Sequence, residues 1–145
     1  MTTTIYTYGY GGKHPEELEK LVAELNATIF DIRFSPRSRN PAWSGKRLRE
    51  RFGDRYQHVK AFGNANYKGG DILIVDYEAG KALVEQSERA VILVCVCKDP
   101  VICHRTYIAK LLAEEGFTVE ELTTYRIQEV LKCSTQPPLP LNGLA

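Results

Sequence analysis

The residues with the densest chemistry in this sequence are Cys103, His104 and Arg105, three consecutive positions carrying a thiol, an imidazole and a guanidinium. Ile108, Leu111 and Leu112 follow at helical spacing and Gly116 closes the run, which predicts a helix from about Cys103 to Glu115. A cysteine at a helix N-terminus has its thiolate stabilised by unpaired backbone N–H groups, by the helix dipole and by adjacent cations. His104 can move protons near neutral pH, and Arg105 can grip an anion. This makes Cys103 and His104 candidate catalytic groups, with Cys103 expected to react faster than Cys95; a buried structural cysteine is the plain alternative. The spacing is not that of a cysteine phosphatase, whose nucleophile and arginine share a longer loop after a strand. Cys95-x-Cys97 precedes the segment, so Cys95, Cys97, Cys103 and His104 together offer soft metal donors. Their spacing matches no common zinc module, and the sequence assigns neither a metal nor any other cofactor. Cys133 stands apart and is read as incidental.

A second group of polar residues surrounds Asp31. Asp31 and Arg33 alternate along an otherwise apolar run, Thr28–Phe34, and so share one side of a strand. If Asp31 is buried it needs a partner, which Arg33 or Arg105 can supply; it is either half of a structural ion pair or a catalytic carboxylate. The loop Ser35-Pro36-Arg37-Ser38-Arg39-Asn40-Pro41-Ala42-Trp43 is held by two prolines and reads as too polar for a core. Arg33, Arg37 and Arg39 would grip phosphate and Trp43 would stack on a base, the plain alternative being a solvated surface. Gly9, Tyr10 and Gly11, in a glycine turn, and Asn64, in the loop Phe62–Gly70, complete the candidate binding set with Cys95 and Arg105. The glycine turn lacks the full phosphate-loop or dinucleotide pattern.

These residues must be placed by elements that alternate along the chain. Thr4–Tyr8 is β-branched and aromatic and predicts a strand. The helix after it has Pro15 in its first turn, Glu16, Glu17 and Glu19 near its positive end, and Asn26 to close it. Thr28–Phe34 is the second strand, Ser44 the N-cap of a helix over Gly45–Phe52 ended by Gly53, and Tyr56–Val59 a short third strand. Asp71–Asp76 fits strand or helix by periodicity, and Tyr77–Gln86 reads as helix. Ala90–Cys97, apolar on both faces, is the central parallel strand, turned by Lys98-Asp99-Pro100. Phe117–Leu122 and Tyr125–Leu131 follow as strand and helix. The expected architecture is a single α/β domain over residues 1–132, Rossmann-like, an open and mostly parallel sheet with helices on both faces. Residues 133–145 form a proline-rich tail.

With 145 residues, 43% hydrophobic and 26% charged, the chain has the composition of an ordinary globular domain and room for one core without disulfide staples. No basic segment followed by a long apolar run opens it, and its longest apolar run is far short of the ~20 residues of a membrane span. The expectation is a cytoplasmic protein with free thiols and no membrane partner. The net charge of +1 hides an asymmetry: nine basic residues against Glu50 and Asp54 lie between Arg33 and Lys60. Such a block attracts phosphate-rich ligands, a nucleotide or a nucleic acid, unless it is the solvated face of a helix.

Taken together, Tyr6-Thr7-Tyr8-Gly9-Tyr10, Asp31-Ile32-Arg33-x-x-Pro36-x-Ser38-Arg39, Leu93-Val94-Cys95-Val96-Cys97-Lys98-Asp99 and Cys103-His104-Arg105 resemble the bacterial family catalogued as domain of unknown function 488. The likeness runs from about Thr4 to Leu122. Phe62-Gly63-Asn64 stands where that family commonly shows a Leu-Gly-Asn or Leu-Gly-Gly turn, and Tyr10 stands where histidine is common. The resemblance implies a Rossmann-like fold with a polar pocket built from these motifs, and it implies no reaction. Ligands of open α/β sheets collect at the carboxyl ends of the strands, so Asp31, Arg33, Cys95, Cys103 and Arg105 are expected to line one concave site there. Three functions fit: an enzyme acting on a phosphate-bearing substrate with Asp31 or Cys103 as its reactive group, a noncatalytic nucleotide or nucleic-acid binding module, and a thiol or sulfur-handling protein.

Overall fold

The apolar runs become five strands and the amphipathic ones five helices in the computed structural model, which describes residues 3–96 and 103–132. In chain order these are β1 (Thr4–Gly9), α1 (Pro15–Leu25), β2 (Ala27–Asp31), α2 (Gly45–Phe52), β3 (Tyr56–His58), α3 (Tyr77–Gln86), β4 (Ala90–Cys95), α4 (His104–Glu114), β5 (Thr118–Glu121) and α5 (Thr124–Lys132). The strands lie in the order β3-β2-β4-β1-β5, and every pair is parallel. The fold is therefore the single-domain, Rossmann-like α/β architecture that the alternation of elements predicts.

Local chemistry sets the helix boundaries. Pro15 opens α1 with Glu16 and Glu17 in its first turn, and Asn26 ends it in the left-handed conformation, φ 49°, a conformation asparagine tolerates better than most side chains. The Ser44 hydroxyl accepts the Arg47 N–H at 3.2 Å to open α2, and Gly53, φ 56°, closes it. The Asp76 carboxylate caps α3 by accepting the Ala79 N–H at 3.1 Å.

Strand residues alternate between two cores. Tyr8, Ile29, Ile92 and Val94 pack under Leu18, Leu21 and Val22 of α1, Leu48 and Phe52 of α2 and Ile127 of α5. Ile5, Phe30, Val91, Leu93 and Cys95 pack under Val84 of α3 and Ile108 and Leu112 of α4. Chains leaving the neighbouring strands β1 and β4 thus feed helices on opposite faces of the sheet. This divergence opens a crevice at the carboxyl ends of the two strands, the place where ligands collect in this class of sheet.

Two expected elements differ. The second strand stops at Asp31 instead of Phe34, because the Asp31 carboxylate takes the Arg33 backbone N–H at 3.2 Å and so turns the chain away from the ladder. Asp71–Asp76 is neither strand nor helix; it runs beside residues 61–66 with one isolated antiparallel bridge, Asn64 to Ile74, and separate hydrogen bonds such as Asp76 N–H to the Ala61 carbonyl at 2.9 Å. Ile72, Leu73 and Val75 there are exposed, so no buried face holds the segment in a regular element. Cys97, the Lys98-Asp99-Pro100 turn, Cys133 and the proline-rich tail lie outside the described residues. Among the described residues no helix is long and apolar enough to cross a membrane.

Candidate functional site

Cys95, the last residue of β4, shares the side of Val91 and Leu93 and therefore faces α4. Cys103 is the N-cap of α4, its Sγ accepting the Arg105 backbone N–H at 3.5 Å. His104, the first residue of that helix, has Nε2 2.8 Å from the Ile32 carbonyl oxygen. A carbonyl only accepts, so Nε2 carries a proton, and Nδ1 faces Cys103 Sγ, 4.0 Å away. The Sγ atoms of Cys95 and Cys103 and a ring nitrogen of His104 all lie within 4.8 Å of one another.

Arg105 is buried beneath this cluster. Its Nη1 donates to Cys95 Sγ at 3.4 Å and its Nη2 to Glu121 Oε2 at 3.1 Å, while the other Glu121 oxygen accepts the Thr7 hydroxyl. The guanidinium is thus committed to the sulfur and to β5, and it supports the thiols instead of gripping a ligand as the sequence reading had it. The Cys103 thiol is held well below its ordinary pKa. A hydrogen bond from Cys95 is the main cause, burial opposes it, and His104 and the Arg105 N–H add to the lowering.

A cleft of about 570 Å³ opens over the cluster. Cys95, Val96 and His104 line it at the sheet end; Tyr10, Arg33, Arg37 and Arg39 line it from the loops after β1 and β2; Phe34, Asn64 and Tyr67 complete it. Phe34 and Tyr67 stack with ring centroids 5.4 Å apart, and Tyr67 is 57% exposed. Cys95 lines the cleft, and both thiols are almost wholly buried, Cys95 at 1% and Cys103 at 2% exposure.

Asp31 and Arg33 form the structural ion pair. Arg33 Nε donates to Oδ1 at 2.8 Å and Nη2 to Oδ2 at 2.6 Å, and the Tyr56 hydroxyl donates to Oδ2 at 2.6 Å. Burial, and next to it the Asp31 carboxylate, raise the Tyr56 pKa. Arg33 Nη1 reaches the Tyr10 hydroxyl at 3.1 Å and the Arg37 carbonyl at 3.3 Å. With its carboxylate completely buried and both oxygens bonded, Asp31 is absent from the cleft wall, so it anchors the loop after β2 and is not placed to react. The imidazole of His58 does related work, bonding the Arg33 carbonyl at 2.8 Å.

Three further expectations change. Trp43 is not a stacking surface for a ligand: it is 1% exposed, lies on Tyr10 with centroids 4.4 Å apart, and donates Nε1–H to the Lys13 carbonyl at 2.8 Å. The polarity of its neighbours disguised one core residue inside a surface loop. The glycine turn offers no cradle, because Gly9 still pairs with Cys95 in the ladder and the Tyr10 and Gly11 N–H groups donate to Cys95 and Val96 carbonyls at 3.0 and 3.1 Å. The basic block is dispersed: Arg33 is in its buried pair, Arg51 is paired with Glu19, Arg55 bonds the Ala27 carbonyl, and Lys60 lies over the Phe34 ring. Arg37 and Arg39, with the already paired Arg33, are its members on the cleft. Asn64 does line the cleft, and its side-chain oxygen also accepts the Asn66 and Leu73 N–H groups at 3.0 and 2.9 Å, shaping the loop that carries Tyr67.

Phe34, Tyr67 and Glu121 were not singled out in the sequence. Only Tyr67 carried a signal, as the aromatic residue in the Gly- and Asn-rich loop 62–70. No family model matches the chain, and neither a curated protein nor a solved structure matches it.

Proposed function

We propose that the protein is an enzyme acting on a phosphate-bearing substrate, a nucleotide or the end of a nucleic acid, bound in the cleft at the carboxyl ends of β1, β2 and β4. The observation that carries this reading is the meeting, in one cleft, of two loop arginines, an exposed aromatic stack and a sulfur–imidazole cluster. Arg37 and Arg39 supply the charge that a phosphate needs. The Phe34–Tyr67 stack supplies aromatic surface on the cleft, and a base stacking there would take the place of the Lys68 ammonium that lies 5.8 Å from the Tyr67 ring centroid. The reacting part of the substrate would then lie toward Cys95 and His104.

Calorimetric titration with a nucleoside monophosphate and, separately, with inorganic phosphate tests this reading. The nucleotide is expected to bind more tightly than phosphate. Replacing Arg37 and Arg39 by serine should weaken both ligands, whereas Tyr67→Ala should weaken the nucleotide alone. Turnover of a panel of phosphate esters then separates the enzyme from a noncatalytic binding module, which would bind and release its ligand unchanged. Absence of binding by either ligand overturns both.

A further inference from the structure

We propose that Cys95, Cys103 and His104 form a binding site for one thiophilic divalent metal ion, zinc being the ion tested. The site is the sheet end of the cleft used in the functional reading, but the inference stands on the donor geometry and needs no substrate.

The spacing of the cysteines spoke against a zinc module because such modules draw their ligands from short loops. Here the fold assembles the set differently. One ligand comes from the end of a central strand, and two come from the cap and first residue of the helix packed against it. Their donor atoms lie within 4.8 Å of one another, so modest side-chain rotation brings them to the metal–sulfur and metal–nitrogen distances of about 2.3 and 2.0–2.1 Å.

Two further features of the cluster suit metal ligation. His104 gives its Nε2–H to the Ile32 carbonyl, the outer hydrogen bond that orients a metal-binding imidazole, here with Nδ1 toward Cys103 Sγ. Both sulfurs receive N–H groups, Cys103 from the Arg105 backbone and Cys95 from the Arg105 guanidinium, as thiolate ligands do. Two thiolates and an imidazole select zinc and its soft neighbours over magnesium or calcium, which take oxygen. With three protein ligands, of which Cys95 and His104 line the cleft, a coordination position is left for water or a bound ligand.

The test is zinc alone added to the full chain, with metal content measured after exhaustive dialysis and cobalt(II) used as a spectroscopic substitute. One zinc per chain is expected, and the cobalt form should show thiolate-to-cobalt charge transfer and the intense visible bands of a tetrahedral site. Cys103→Ser should drop zinc to background; serine is itself a favoured N-cap, so α4 keeps its start and the variant folds. His104→Gln, at a partly exposed position, provides a second variant and should also lose the ion, with folding of both checked by circular dichroism. The pair Arg37→Ser and Arg39→Ser should lose phosphate ligands yet keep zinc, so failure of the functional reading and failure of the metal site are read separately. Full-chain protein that takes up no zinc, or folded Cys103→Ser and His104→Gln variants that keep it, would overturn the proposal. So would a Cys95–Cys103 disulfide formed in air on protein that does not take up the ion when reduced.

Discussion

Arg33 Nη2 and Asp31 Oδ2 lie 2.6 Å apart in a pair that is almost wholly buried at the point where the chain leaves β2. A second bond joins Arg33 Nε to Oδ1 at 2.8 Å, making the pair bidentate, and the remaining Arg33 donors reach Tyr10 and the Arg37 carbonyl. One ion pair thus fixes the end of β2, the β1 turn and the loop that carries Arg37 and Arg39. Breaking it by Asp31→Asn leaves a buried guanidinium short of its counter-charge, and the expected loss is about 3–5 kcal/mol of unfolding free energy. Urea denaturation measures it; a loss below about 1 kcal/mol contradicts the anchoring role.

Trp43 and Tyr67 should respond in opposite ways. Trp43 is enclosed between Tyr10 and the Lys13 carbonyl, so Trp43→Ala should cost about 3–5 kcal/mol of stability. Tyr67 is 57% exposed on the cleft, so Tyr67→Ala should leave stability within about 0.5 kcal/mol while weakening a nucleotide by about 1–3 kcal/mol. Melting curves and calorimetry on the two variants give both numbers. A Tyr67 variant that binds normally removes the stacking surface from the account.

The contrast between these residues shows what the sequence could and could not convey. Strand and helix identities were legible because burial imposes its period directly: Ala90–Cys95 is apolar on both faces since both faces are covered. Caps at Ser44, Asn26 and Gly53 were legible because each satisfies local backbone demands. Trp43 was not, because its burial depends on Tyr10 from a distant segment, and Asp71–Asp76 was not, because its neighbour, the irregular loop 61–66, offers only one bridge and scattered hydrogen bonds instead of a ladder. Within the candidate site, the residue types of Cys103-His104-Arg105 announced chemistry. Their division of labour, with Arg105 turned to Cys95 and Glu121, depends on β4 and β5 lying on either side of β1.

Gly80 occupies a position with no room for a side chain. A Cβ there would lie 2.4 Å from the Phe62 ring, and Phe62 is fully buried beneath α3. Gly80→Ala should therefore cost about 1–3 kcal/mol through overpacking, against the stabilisation of up to about 1 kcal/mol that alanine brings to an open helix position. A variant more stable than the parent would contradict this packing.

Alkaline titration follows from the buried phenols. Tyr8 is raised above its ordinary value of 10.0, first by burial and then by its bond to Glu17, and Tyr56 first by burial and then by Asp31. In the unfolded chain both ionise near pH 10 while the native chain keeps both protons. The folded state thus binds more protons above that pH, and stability falls as pH rises. Their contribution is complete below pH 10. Ultraviolet titration should show at least two tyrosines, Tyr8 and Tyr56, resisting ionisation until the protein unfolds, and Tyr56→Phe should lower the number by one; full, reversible ionisation of every tyrosine in the folded protein near pH 10 would refute their burial.

If a single-stranded nucleic acid is the ligand, Arg37 and Arg39 are the charges on the cleft that meet its phosphates. Log affinity should then fall with log salt by about 0.7 for each phosphate neutralised, and the double serine variant should flatten the slope. A steep slope that survives the double variant would transfer binding to the exposed Lys46 and Arg47 on α2.

The central claim, that the cleft at the strand ends receives a phosphate-bearing ligand, is tested most directly by a backbone amide NMR titration of the full chain with a nucleoside monophosphate. The account predicts saturable shifts concentrated at Tyr10, Phe34, Arg37, Arg39, Tyr67, Val96 and His104, the residues that enclose the cleft. Shifts confined to the basic face of α2, or a spectrum unchanged at saturating ligand, would contradict it.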